Sequence, residues 1–267
     1  MARKRRQKTS SDEDLLDFAR STLSENPWDY TWFIYGEKKI GKTSLFEHHP
    51  KAFYSMFEPG GAGLEIHQKP MPNWSRFKKY VKALIEPEQD KFDLVIMDTG
   101  DQAYARCLEY VCKKLAITHP GEEDDYGASW AAVKTEFTSV INQLIAAENL
   151  GVVFISHAVE REIKKRSGGK FTKILPTMSG QARDAIEALT DVWGYYGYEG
   201  EDRMLWIKGD ELIGAGTRLS SRHFQFEDGT EIAQIPMGNS SKEAYDNLVA
   251  AFENKLKPAG SKKRRQK

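Results

Sequence analysis

A segment of eight residues constrains this chain more than any other feature. Residues 36–43 read Gly-Glu-Lys-Lys-Ile-Gly-Lys-Thr and fit the pattern G-x-x-x-x-G-K-[ST]. The apolar run at 32–35 predicts a buried strand before them, and residues 44–47 can begin a helix after them. Glycines allow several backbone N–H groups to converge on one anion, and a following helix adds its positive end. The segment therefore predicts a phosphate-binding loop in an α/β fold.

This loop predicts ATP and Mg²⁺ as cofactors. The Lys42 ammonium would contact the β- and γ-phosphates, and the Thr43 hydroxyl would bind Mg²⁺. The residues expected to surround the nucleotide are Gly36, Glu37, Lys38, Lys39, Ile40, Gly41, Lys42, Thr43 and Ser44.

A carboxylate on the metal side of the site is expected at the end of another strand. Asp98 follows the most apolar of the early runs, residues 92–97. Ligands of open α/β sheets bind beyond the carboxyl ends of the strands, so Asp98 and Thr43 can converge on Mg²⁺. Asp101 is a nearby alternative past the Thr99-Gly100 turn.

Two further strand ends carry candidates for catalysis. Glu58 follows a predicted strand at 52–57, expected next to the first strand, and would orient or deprotonate the attacking water. His157 follows a predicted strand at 151–156 and can form a hydrogen bond that senses the γ-phosphate. The alternative interpretations are a polar turn residue at 58, a solvent-facing histidine at 157, and a module that binds ATP without hydrolysing it.

The remaining pattern predicts one mostly parallel central sheet flanked by helices, with antiparallel strands added at one edge. Helices are expected at 74–86, 101–117, 129–148, 179–190 and 241–256, and later strands at 192–198, 203–208, 218–226 and 232–235. We expect a disordered basic tail at 1–11, a core at 12–236, and a terminal helix with a basic tail at 237–267.

The charge pattern, the cysteines and the apolar runs indicate where the protein works and what its termini can contact. The formal net charge is zero, yet Lys-Arg-Arg-Gln-Lys occurs at both 4–8 and 263–267, where it can contact nucleic acid or act as a solubilising tail. Cys107 and Cys112 lie on different faces of one predicted helix, which predicts buried free thiols. No apolar run is long enough to span a membrane and no secretory signal is evident, so we expect a cytoplasmic protein.

A basic segment at 158–177 is a candidate for binding single-stranded nucleic acid. Gly168 and Gly169 predict a mobile loop over 160–174, and Phe171 offers a stacking face. The predicted contact residues are Arg161, Lys164, Lys165, Arg166, Lys170, Phe171 and Lys173. The alternative is an exposed basic loop without a binding role.

The chain resembles the phage-encoded RecA-like P-loop ATPases, AAA-type ATP-binding proteins related to single-strand annealing proteins. The resemblance covers roughly residues 30–225. It rests on the Tyr-Gly-x4-Gly-Lys-Thr-Ser loop, Glu58, the Val-Ile-Met-Asp-Thr run at 95–99, Tyr126-Gly127-x2-Trp130, and Val-Phe-Ile-Ser-His at 153–157.

This resemblance implies ATP hydrolysis in which Glu58 activates the attacking water. It also implies that residues 158–177 act on single-stranded DNA, in viral recombination, annealing or replication. The expected location is then the host cytoplasm. The resemblance further implies self-association into a ring or short oligomer, with a basic residue of the neighbour completing the site. Arg218 or Arg222 is the candidate for that residue. A single-strand-binding or replication protein is a further expected partner.

Two other functions fit the same loop. A helicase loader or protein-remodelling ATPase would grip a protein with residues 158–177. A small-molecule (nucleotide) kinase would use that segment as a lid. Stimulation by DNA, stimulation by a protein alone, and phosphoryl transfer to a nucleotide separate the three.

Overall fold

The fold is described from a computed structural model that covers residues 20, 23–122, 125–148, 150–165, 168–178, 180–219 and 222–257. The predicted tail at 1–11, the cationic end at 262–267 and Arg166 lie outside the described residues.

One ten-stranded sheet organises the chain, in the order β10-β8-β7-β1-β5-β4-β2-β3, with β6 paired to β5 and β9 paired to β7. Strands β7, β1, β5, β4, β2 and β3 run parallel, whereas β8, β10, β6 and β9 pair antiparallel to their neighbours. The strands are β1 (Thr31–Gly36), β2 (Ala52–Met56), β3 (His67–Pro70), β4 (Leu94–Asp98), β5 (Gly151–Lys164), β6 (Lys170–Pro176), β7 (Val192–Glu199), β8 (Asp202–Trp206), β9 (Gly216–Thr217) and β10 (Gln234–Pro236).

Both faces of the sheet are covered, which explains why β1, β2 and β4 are buried at every position and mostly apolar. Phe33 and Tyr35 of β1 face one core, and Trp32 and Ile34 face the other. The first core contains the helices α1 (Trp74–Leu84), α2 (Gly100–Leu115), α3 (Ala128–Ile145) and α4 (Gly180–Leu189), and the second contains α5 (Ser241–Phe252). Cys107 and Cys112 are buried free thiols, as predicted.

The predicted fold class, a mostly parallel α/β sheet with antiparallel strands at one edge, is confirmed. None of the described helices is long and apolar enough to cross a membrane.

Several details differ from the prediction. Strand β2 is not adjacent to β1, because β5 and β4 lie between them. Strand β7 pairs parallel with β1, so the antiparallel edge begins only at β8. No strand forms among the described residues of 218–226, where Gln225 makes one isolated bridge to Glu231. The polar edge strand β3 escaped prediction because it has no apolar pattern.

The predicted mobile loop at 160–174 is instead a hairpin. Strand β5 continues for 14 residues, well past its last partners in β1 and β4, and pairs with β6 from Ala158 to Lys164. The glycines Gly168 and Gly169 provide positive φ angles at the turn, where they are favoured over other residues.

The helix expected after the phosphate loop is only a short 3₁₀ turn, Ser44–Phe46. Pro50 follows closely and cannot continue a helix, and the chain enters β2 at Ala52. A full helix dipole is therefore missing at this loop, and backbone N–H groups and Lys42 must provide most of its positive potential.

Candidate nucleotide-binding site

The phosphate loop leaves β1 at Gly36 and is fixed by its contacts with β7. A Cβ atom at Gly36 would lie 2.0 Å from the Tyr196 carbonyl oxygen, so only glycine fits there. Glu37 N–H donates to that same carbonyl, at 3.2 Å. Lys39 and Gly41 have φ angles of 65° and 110°, which turn the backbone back toward the site.

Lys42 is the buried cation of this loop, with 6% of the residue exposed. Its Nζ donates to the carbonyl oxygens of Gly36 at 2.9 Å and Glu37 at 2.6 Å. Burial lowers the pKa of Lys42 to about 8, although Asp98, Asp101, Glu58 and Glu37 each act to raise it. The nearby carboxylates thus do not fully offset the cost of burying the ammonium, and a bound phosphate would stabilise its charge.

The structure brings the side chains of Thr43 and Asp98 together. Thr43 Oγ1 donates to Asp98 Oδ2 at 2.6 Å, because the ends of β1 and β4 flank β5. Burial raises the pKa of the Asp98 carboxyl, while the Thr43 hydrogen bond and Lys42 act to lower it. A cation placed here would favour the ionised carboxylate.

The donor set at this point fits Mg²⁺. Among the described residues no group of three or more histidine, cysteine, aspartate or glutamate side chains could hold a metal ion by itself. Mg²⁺ commonly takes one or two protein oxygens and fills its octahedron with phosphate oxygens and water. Thr43 and Asp98 would provide the protein's share.

Glu58 lies beside this pair and is held by two side chains. Its Oε1 accepts a hydrogen bond of 2.6 Å from Thr99 Oγ1, and its Oε2 lies 3.3 Å from His157 Nε2. The backbone N–H groups of Phe57 and Glu58 both point to the Asp98 carbonyl oxygen, at 2.7 and 3.3 Å. Glu58 is thus fixed to the end of β4 despite belonging to the β2 segment.

Asp101 does not join the Thr43–Asp98 pair. Its Oδ1 accepts a hydrogen bond of 2.6 Å from Thr177 Oγ1, just past β6. Thr177 N–H donates to the His157 carbonyl oxygen at 2.9 Å. These contacts connect the nucleotide side of β5 with the base of the hairpin.

The hairpin β5–β6 carries the predicted nucleic-acid contacts. Cross-strand register places Lys164 opposite Lys170 and Arg161 opposite Lys173. Lys165 Nζ lies 5.3 Å from the centre of the Phe171 ring. Two of these cations form ion pairs, Lys170 with Glu162 at 2.6 Å and Lys165 with Glu211. Two others donate hydrogen bonds to backbone carbonyl oxygens, Lys173 to that of Asp210 and Arg161 to that of Thr177.

Arg218 and Arg222 lie beside the start of β1, away from the phosphate loop of their own chain. Arg218 Nη2 donates to the Ala188 carbonyl oxygen at 2.7 Å, and its Nη1 lies 3.7 Å from Asp191 Oδ1. Arg222 precedes His223, whose ring contacts Tyr30. Their role in a neighbour's site stays a prediction.

Sequence reasoning missed Thr99, Thr177 and Arg203 at this site. Arg203 of β8 places Nη1 3.5 Å from the Ile40 carbonyl oxygen of the phosphate loop, and its Nε donates to Gly238 O at 2.8 Å. The signal for Thr99 was its place directly after Asp98. No local pattern marked Thr177 or Arg203.

Two of three comparisons with known proteins found a match. Residues 29–219 match the family described as AAA domain. Among solved structures, the crystal structure of the RadB recombinase is similar at 14% identity and a TM-score of 0.39, covering 67% of this chain and 80% of that chain. No curated protein matches the sequence. Because the family match spans most of the chain and includes the phosphate loop, Glu58, Asp98 and His157, the chain belongs to the AAA domain family.

Proposed function

We propose that this protein hydrolyses ATP with Mg²⁺ and couples the reaction to single-stranded DNA, in recombination, annealing or replication. One observation carries the ATPase part: Lys42, Thr43, Asp98 and Glu58 come from three separate segments and converge at one edge of the sheet. Their charges suit a triphosphate, a divalent cation and a water molecule.

The chemistry follows from these positions. Lys42 and the loop N–H groups bind the phosphates and stabilise charge that develops in the transition state. Mg²⁺, when bound at Thr43 and Asp98, would neutralise β- and γ-phosphate oxygens. Glu58 accepts a proton from water as the water oxygen bonds to the γ-phosphorus. The bond from that phosphorus to the bridging oxygen breaks, and ADP leaves with its electron pair.

His157 offers a route from this reaction to the hairpin. Its ring contacts the Glu58 carboxylate, and its own carbonyl oxygen is bound by the N–H of Thr177. A change in the hydrogen bonding of Glu58 on γ-phosphate release would therefore reach Thr177, the residue just past the end of β6.

The charge pattern of the hairpin supports the DNA part of the proposal. Like charges directly opposite each other destabilise a β-ladder. Lys164 with Lys170 and Arg161 with Lys173 are two such pairs. A phosphate backbone would offset their repulsion, and the Phe171 ring beside them can stack on a base.

The variant Phe171→Ala tests this surface. We expect its affinity for an oligothymidylate to fall about tenfold, since stacking on one base contributes roughly 1–3 kcal/mol. Basal ATP hydrolysis should stay unchanged, because Phe171 lies on the hairpin and outside the nucleotide site. Phe171→Trp is the matched control and should retain binding. Equal affinity of the wild type and Phe171→Ala, measured by fluorescence anisotropy, would remove Phe171 from the interface.

Thr99 is a positioning residue for Glu58, and we expect Thr99→Val to lower kcat for ATP about tenfold, because a misplaced catalytic group loses much of its effect. The KM for ATP should change little, since Thr99 is not expected to contact the nucleotide. Thr99→Ser retains the hydroxyl and should restore the rate. A kcat for Thr99→Val equal to that of Thr99→Ser would contradict this role.

The overall proposal is tested by measuring ATP hydrolysis with and without single-stranded DNA at low and moderate salt. We expect stimulation by DNA that weakens as salt rises. Stimulation by a protein partner alone would favour a remodelling ATPase, and phosphoryl transfer to a nucleotide would favour a kinase.

Self-association belongs to the same proposal, with Arg218 or Arg222 reaching a neighbour's γ-phosphate. A phage origin and a host-cytoplasmic setting belong to it as well.

A further inference from the structure

Helix α1 differs from the other helices in the sign of its charges. Its charged residues are four cations, Arg76, Lys78, Lys79 and Lys82, with no carboxylate. The helices α2, α3, α4 and α5 each carry both signs, so α1 is alone in this respect among the helices of the described residues. A solvated helix face normally mixes the two signs, which makes α1 a candidate surface for an anionic partner.

Three of these cations form a ridge along the exposed side of α1. Arg76, Lys79 and Lys82 are spaced three residues apart, hence neighbours on the helix surface, and all three are exposed. None of them forms an ion pair with another described residue. Arg76 lies over the Tyr80 ring, with its Cζ 5.8 Å from the ring centre. Like charges at this spacing destabilise a helix by a few tenths of a kcal/mol per pair.

The fourth cation is already neutralised. Lys78 Nζ lies 2.8 Å from Glu136 Oε1 and 3.0 Å from the Tyr110 hydroxyl. Glu136 also accepts a hydrogen bond from Trp74 Nε1, so its carboxylate is committed to the packing of α1 against α3. It does not compensate the ridge.

A groove of about 400 Å³ runs beside the ridge, between α1 and α3. Apart from Glu136, its polar lining consists of groups that can donate hydrogen bonds to phosphate or sugar oxygens. These are Ser75, Lys78, Lys79, Lys82, Ser139 and Gln143.

We propose that the ridge and this groove bind the sugar-phosphate backbone of nucleic acid, as a second contact separate from the hairpin. This inference rests on the proposed function. The separation follows from packing: the Tyr80 ring of α1 stacks on Phe53 of β2, whereas the hairpin extends from β5, on the far side of β4. A nucleic acid that spans both surfaces gains from two linked contacts.

The chemistry of the ridge favours nucleic acid over an acidic protein. Protein interfaces usually have an apolar or aromatic centre. The large apolar side chains of α1, such as Trp74 and Phe77, are buried, and the exposed ones of the described chain lie elsewhere. A regular row of cations without an apolar anchor suits evenly spaced phosphates.

The test compares Arg76→Gln/Lys79→Gln/Lys82→Gln with the control Lys113→Gln/Lys114→Gln/Lys134→Gln, which removes the same charge from exposed sites on α2 and α3. Glutamine is a good helix former, so Tm and basal ATP hydrolysis should match the wild type. Binding to an oligothymidylate long enough to span both surfaces, and to a duplex, is measured across a salt series. We expect the ridge variant to bind the oligothymidylate about tenfold more weakly at low salt. Its slope of log K against log salt should be about 2 units shallower, since each lost phosphate contact contributes roughly 0.7.

The outcomes separate the two proposals. If the ridge and control variants show the same affinity and slope on both ligands, the ridge inference is wrong, while the binding lost in Phe171→Ala would still support the hairpin. If the wild type binds neither ligand, the DNA part of the proposed function fails along with the ridge. A loss confined to the duplex would retain the ridge and assign it to double-stranded DNA.

Discussion

Replacing Lys42 by alanine should lower ATP turnover by at least about a hundredfold, because the variant loses the one buried cation of the phosphate loop. Its ammonium already lies within hydrogen-bond distance of the Gly36 and Glu37 carbonyl oxygens, where the loop would surround a phosphate. Burial lowers its pKa to about 8, so a bound triphosphate would stabilise the charged form that burial disfavours.

The measurement is steady-state ATP hydrolysis together with the affinity for a fluorescent ATP analogue. Lys113→Ala, on the exposed side of α2, is the matched control and should behave as the wild type. We expect no loss of Tm in Lys42→Ala, because the removed side chain was buried at an electrostatic cost. Unchanged turnover would disprove the phosphate-loop assignment.

Glu58→Gln should slow hydrolysis by about two orders of magnitude or more and leave ATP binding intact. General base catalysis typically contributes 10²–10⁴-fold, and an amide cannot accept the proton of the attacking water. The amide oxygen can still accept the hydrogen bond from Thr99 Oγ1, so the surroundings of residue 58 should be preserved. The loss should therefore appear in kcat rather than in KM.

Glu65→Gln provides the matched control, because Glu65 is exposed and lies in the same segment between β2 and β3. Single-turnover hydrolysis, with enzyme in excess over ATP, separates the chemical step from product release. If Glu58→Gln hydrolyses ATP at the wild-type single-turnover rate, another group must activate the water.

The part of the fold predicted from sequence is the part governed by local patterns. Residues 32–43 combine an apolar strand with a glycine-dependent loop, and both features depend on neighbours in the chain. The amphipathic helices were placed within a few residues of their ends. Strand β3 and the β5–β6 hairpin were missed, because His67–Pro70 is polar and the hairpin's charged residues hide its alternation.

The site shows the same division. Asp98 and Glu58 follow recognisable strands, so their convergence could be expected from the rule that parallel strands end at one edge. The hydrogen-bond partners of Thr99 and Thr177 could not be predicted, because they lie 41 and 76 positions away in sequence. The order of the strands in the sheet could not be predicted from the sequence either, since it depends on which face of the sheet each connecting helix crosses.

Strand β5 runs without a break from the core of the sheet into the hairpin. The segment from Ala158 to Lys164 extends roughly 20 Å beyond the last partners of β5 in β1 and β4, at about 3.3 Å per residue. A tilt of about 5° at His157 would therefore displace the far end of this segment by roughly 2 Å. On the proposed function, a small shift at His157, the residue that contacts Glu58, would become a larger displacement at the proposed DNA-binding surface.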